Sequence, residues 1–205
     1  MEPLSSPTTP DSGRLYRFAW VLYMAIALAG SLWIGLRQGV IPLSLFLSTE
    51  DWWVDLGLGL AAGALLLAFW WGAERVFPLA RELGEKLAAV LGPISTVDAI
   101  ALALLSGFAE ELFFRGAVQP AWGWAAATVL FAVLHSGPGT AFRFWTLFAL
   151  VAGALLGGLM AWRGNLLGPI AGHVLVNAVN LRRLAGRSSD SARLPGDSEQ
   201  SGREI

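Results

Sequence analysis

Apolar runs separated by short polar stretches organise this chain along most of its length. A helix needs about 20 predominantly apolar residues to cross a bilayer. Six stretches approach that requirement: residues 18–36, 52–73, 98–119, 121–136, 144–162 and 165–181. The first is uncharged, the second holds one acid (Asp55) near its start, and the fourth is short and ends in His135. Residues 74–92 instead place charge on one face and apolar side chains on the other, which predicts an interfacial helix or a connecting loop. The pattern therefore predicts an all-α integral membrane bundle of about six transmembrane helices over residues 18–181, with the interfacial element between the second and third. Residues 1–17 are left as an N-terminal segment. Residues 182–205, polar and poor in aromatics, read as a disordered tail. The first run is longer than a signal-peptide core and has no small-x-small cleavage site after it, so it reads as an anchor.

Composition agrees with the pattern. Hydrophobic residues make up 55% of the chain and charged residues 14%, which separates it from soluble domains. The net charge of −1 gives no basis for binding nucleic acid, and the lack of cysteine removes disulfides and thiol nucleophiles. The tryptophans fall mostly near the ends of the runs, as interfacial belts do. Six spans put both termini on one side, together with Arg14, Arg17, Arg75, Arg81, Lys86, Arg143, Arg182, Arg183 and Arg187. Only Arg37 and Arg163 lie opposite. That asymmetry predicts cytoplasmic termini, with a bacterial inner membrane as the expected location. Small residues four apart (Gly59/Gly63, Gly153/Gly157, Gly164/Gly168/Gly172) predict close helix packing rather than a ligand site.

Ionisable residues inside apolar runs are costly and mark function. The chain has two histidines, His135 and His173, each in such a run, and a third run carries Glu110, Glu111 and Arg115. Glu111 and Arg115 are four apart, so the guanidinium can neutralise that acid. Glu110 lies 100° around the helix and is left available. His173 and Asn177 share a face, and Phe131 precedes His135 by one turn. Counted from the connections on one membrane side at 1.5 Å per residue, Glu110 lies roughly 15 Å deep, His135 21 Å, His173 12 Å and Asn177 18 Å. All four fall within one layer of a core about 30 Å thick. Two chemistries suit the set. Glu110 and His135 can hold and deprotonate a water while His173 and Asn177 donate to an oxyanion. Alternatively Glu110, His135, His173 and Asn177 can ligate a divalent metal such as zinc. Taken singly, each group is better read as packing: a helix salt bridge, or a satisfied core imidazole. Their convergence favours catalysis, with no cofactor as the first expectation.

Three motifs carry a resemblance. Glu110-Glu111-Leu-Phe-Phe-Arg115 looks like EExxxR, Phe131-Ala-Val-Leu-His135 like FxxxH, and His173-Val-Leu-Val-Asn177 like HxxxN. Together they resemble the CPBP intramembrane proteases, which include the type II CAAX prenyl endopeptidases and the Abi, or bacteriocin-processing and immunity, proteins. The resemblance covers roughly residues 98–181. It implies a helical membrane endopeptidase with a cavity open to the cytoplasm, in which Glu110 and His135 activate water and His173 and Asn177 stabilise the oxyanion. Glu111, Arg115 and Phe131 support them. The implied partner is a membrane-associated protein or peptide within the lipid bilayer: a prenylated CAAX protein, a bacteriocin leader or a C-terminal sorting tag. The competing readings are a non-enzymatic immunity or scaffold protein with the same polar core, and a proton or cation transporter. The sequence contains no His-Glu-x-x-His and no Gly-x-Gly-Asp, and Leu104 stands where a Gly-x-Ser-Gly at Ser106 needs glycine.

Overall fold

The computed structural model describes residues 12–48 and 50–193, and among these the structure is helical with no strand. Helix α1 is Ser12–Gln38, α2 Trp52–Val76, α3 Pro78–Leu91 and α4 Thr96–Glu111. The α4 path continues through a wider π turn, Leu112–Val118, into the single turn α5, Gln119–Trp122. Then come α6 Trp124–Leu134, α7 Thr140–Arg163 and α8 Leu167–Arg193. Helices α1, α2 and α7 are long and apolar enough to cross a membrane by themselves. The path through α3 and α4–α5 meets the same test only as a pair bent by 108°. The fold is thus an all-α membrane bundle, as the runs predict, but among the described residues three helices, or four if the bent pair is one span, pass this test where the runs predict about six.

Three boundaries differ from that reading, each for a physical reason. The run 121–136 forms no full span. Gly123, at φ 88°, breaks it, and the eleven residues of α6 rise only about 16 Å, half of a bilayer core. At the N-terminus, α1 begins at Ser12, inside the segment read as 1–17. At the other end, α8 runs past residue 181 to Arg193. The tail expected to be disordered is therefore helical through 182–193, because it docks. Ala185 is buried, and Arg183 and Arg187 bond the buried Glu74 carboxylate of α2 at 3.0–3.2 Å. Residues 1–11 and 194–205 lie outside the described residues. The stretch read as interfacial helix or loop is the helix α3, which packs its Ala80 and Leu83 face against α7 and α8.

The far end of the bundle is closed by another buried acid. Asp55 at the start of α2 is fully buried and receives hydrogen bonds from Arg163 and, at 2.8 Å, from Asn165. Gly164 takes the left-handed conformation (φ 73°) that ends α7, and the Asn165 side chain accepts from Leu167 N at 3.1 Å, starting α8. The acid at the head of α2 thereby fixes the α7–α8 corner.

Glycines set the central crossing. A Cβ on Gly59 would lie 2.1 Å from the Gly168 carbonyl oxygen, and one on Gly63 would lie 2.7 Å from that of Gly172. Helices α2 and α8 thus touch backbone to backbone, as small residues four apart predict. Gly107 of α4 packs against Val174 of α8, where a Cβ would lie 2.7 Å from the valine Cγ2 and 3.1 Å from its backbone nitrogen. These contacts bring His173 of α8 beside the two glutamates of α4. We expect Gly59→Leu to force α2 and α8 apart and cost about 1–3 kcal/mol or more. The loss would appear as a lower melting temperature in detergent, whereas Gly57→Leu, whose Cβ meets open space, should leave it unchanged.

Candidate active site

Glu110 and Glu111 sit at the end of α4, where the helix widens into its π turn. Such bulges are frequent at functional sites. Adjacent on the helix, the two acids face different partners. Glu111 is fully buried, with Arg115 Nη1 at 3.0 Å and His173 Nδ1 at 2.7 Å, both on its Oε1. Arg115 is itself buried, and its guanidinium lies 4.4 Å above the Phe131 ring. Its Nη1 and Nη2 make no well-aligned hydrogen bond, so charge and the aromatic face hold it in place.

Glu110 turns inward. Its Oε2 lies 3.6 Å from His135 Nε2 and 3.9 Å from His173 Nε2, and it has no hydrogen-bond partner. Both rings are fixed from behind. His135, the residue that closes α6, places Nδ1 2.8 Å from the Phe131 carbonyl oxygen, and His173 places its Nδ1 on Glu111. Those partners accept, so each Nδ1 carries the proton and, in the neutral ring, each Nε2 offers a lone pair. Phe131 packs against the His135 ring at 4.3 Å and edge-on to the His173 ring at 6.1 Å. One aromatic thus holds both imidazoles and the guanidinium.

Asn177 lines the same cavity one turn beyond His173, and its Nδ2 donates to Ser106 Oγ at 2.9 Å. Ser106 therefore orients Asn177. The cavity has a volume of about 380 Å³ and mostly apolar walls, among them Leu66, Trp70, Phe148 and Leu156. It reaches past Leu91 and Ile94 to the Glu74, Arg183 and Arg187 end of the bundle. All seven residues singled out in the sequence thus meet in one place. Sequence reasoning missed Ser106 as a partner of Asn177. It also missed Tyr23 of α1, which lines the same cavity as Glu110.

No group of three or more His, Cys, Asp or Glu side chains among the described residues has the spacing of a metal site. Two ligands on one tetrahedral zinc, bonded at about 2.0–2.2 Å, stand roughly 3.3–3.5 Å apart. The 3.9 Å from His173 to Glu110 is wider than that. What the arrangement offers is a buried carboxylate, two ring nitrogens aimed at it, an amide one turn away, and an apolar channel.

Residues 92–179 match the family model described as Rce1-like, "Type II CAAX prenyl endopeptidase Rce1-like". The resemblance read from the motifs is to that family. The matched segment runs from α4 into α8 and contains every residue of the cluster except Tyr23. A curated relative, the uncharacterized protein YpbD of Bacillus subtilis (strain 168), is 41% identical over 85 residues. That alignment covers 39% of this chain and 42% of YpbD, so the chain spans about two fifths of the relative it matches. No solved structure matches the chain.

Proposed function

We propose that this protein is an intramembrane endopeptidase that hydrolyses a peptide bond of a membrane-associated protein or peptide with water, without a metal ion. The observation that carries the reading is Glu110 Oε2 at 3.6 and 3.9 Å from two backed imidazoles inside an apolar cavity. Structural salt bridges pair their charges, as Glu111 does with Arg115. Both acids leave their Oε2 without a hydrogen bond, but Glu110 has no guanidinium beside it and turns that oxygen toward two ring nitrogens, the arrangement needed to hold a water.

In the proposed reaction, that water sits between Glu110 Oε2 and His135 Nε2. The carboxylate takes a proton as the water oxygen bonds to the scissile carbonyl carbon. The developing oxyanion accepts from His173 Nε2–H, with the ring carrying both protons and its Nδ1–H on Glu111. It also accepts from the Asn177 amide hydrogen not engaged by Ser106. Glu110 then passes its proton to the departing nitrogen, the C–N bond breaks, and the products are a carboxylic acid and an amine. Glu111 acts through His173 by fixing the ring and balancing its charge.

The family description supports a substrate cut near its C-terminus, whether a CAAX-like sequence or a C-terminal tag. The cavity reaches the end of the bundle that carries Arg183 and Arg187, and the excess of Lys and Arg read on that side supports an opening toward the cytoplasm of a bacterial cell. Quantitative profiling of membrane-protein termini in cells holding wild-type protein or Glu110→Gln tests the reading. Termini that accumulate only with the wild type are expected. Identical terminomes would remove the protease and leave a binding protein.

A further inference from the structure

We infer that Tyr23 is a positioning residue for Glu110, supplied by a helix outside the segment that carries the family resemblance. The inference rests on the proposed role of Glu110. Leu15, Tyr16, Ala19 and Tyr23 recur at helical spacing and all line the cavity, so one stripe of α1 forms its wall. The other faces of α1, with Phe18, Val21, Leu22 and Met24, are exposed as a lipid-facing surface would be. Tyr23 is the member of the stripe nearest the point where α1 meets the π turn, and Glu110 lines the same cavity that it faces.

Helix α1 is held in register for this contact. It packs on α4 and on the π turn. Two turns beyond Tyr23, Gly30 lies so close that a Cβ there would sit 3.1 Å from Phe113 Cα. That contact pins α1 three residues after Glu110. Oε2 of Glu110 faces the imidazoles without a hydrogen-bond partner, and in the inferred contact the tyrosine donates to the other carboxylate oxygen. A hydrogen bond there fixes the carboxylate's rotation and directs Oε2 toward His135 and His173. The segment matched by the family model thus completes its acid only when α1 is in place.

The test is a double-substitution cycle on the full-length protein, using Tyr23→Phe, Glu110→Leu and the pair. Thermal unfolding in detergent reads it without any substrate. The expected result is coupling: Tyr23→Phe lowers the melting temperature in the wild type and has less than half that effect once Glu110 is Leu. Catalysis is read on a peptide spanning a junction recovered by the terminus profiling. There Tyr23→Phe should lower kcat about tenfold with KM unchanged. Additive melting shifts, or a wild-type kcat in Tyr23→Phe, overturn the inference. Glu110→Gln that still cleaves the peptide overturns the protease reading instead, and it leaves any measured coupling standing as a structural contact.

Discussion

Glu110→Gln is expected to lower turnover by at least about 10³-fold while the protein stays folded and membrane-inserted. The amide has nearly the shape of the carboxylate but cannot take a proton from water, so the loss reflects general-base chemistry, typically worth about 10²–10⁴-fold. Stability should hold or rise slightly. In the wild type, Glu110 Oε2 is buried with no hydrogen bond, which is a cost the neutral amide lessens. Initial rates on purified protein, together with a melting curve of the same sample, check both halves. A Gln variant that is inactive because it no longer folds would count against this account of the acid.

The second large effect falls on stability. Arg115→Leu should destabilise the protein by about 3–5 kcal/mol, the range for removing one partner of a buried ion pair. Glu111 is fully buried and would keep only His173, and the guanidinium would vanish from the Phe131 face. Adding Glu111→Leu to Arg115→Leu should restore part of the melting temperature, because the orphaned charge is gone. It should not restore turnover, because His173 Nδ1 then has nothing to hold it. This split separates the structural role of the pair from its service to the imidazole. A single Arg115→Leu variant that melts like the wild type would refute the buried-pair description.

The sequence revealed the site better than it revealed the fold around it. Glu110, His135 and His173 were legible because ionisable groups stand out in apolar runs, and helical spacing alone assigned Arg115 to Glu111. That Glu111 also holds His173 was not legible, since the contact joins residues 62 positions apart. Tyr23 gave no signal, because a lone tyrosine in an apolar run is ordinary and only the stripe facing the cavity distinguishes it. Span counting misjudged α6 because apolar length there continues across Gly123, whose positive φ breaks the helix. The α8 extension was missed for the opposite reason. Its polar composition suggested disorder, but its arginines had a buried acid, Glu74, waiting on α2.

The decisive assay is hydrolysis of a cleavable peptide by purified protein stripped of divalent ions with a chelator, in wild-type and Glu110→Gln forms. Stripped wild-type protein is expected to cut at its full rate, and the Gln form not to cut at all. A stripped wild type that stays silent until zinc is returned, or a Gln form that keeps pace with it, would contradict a water held by one acid and two imidazoles.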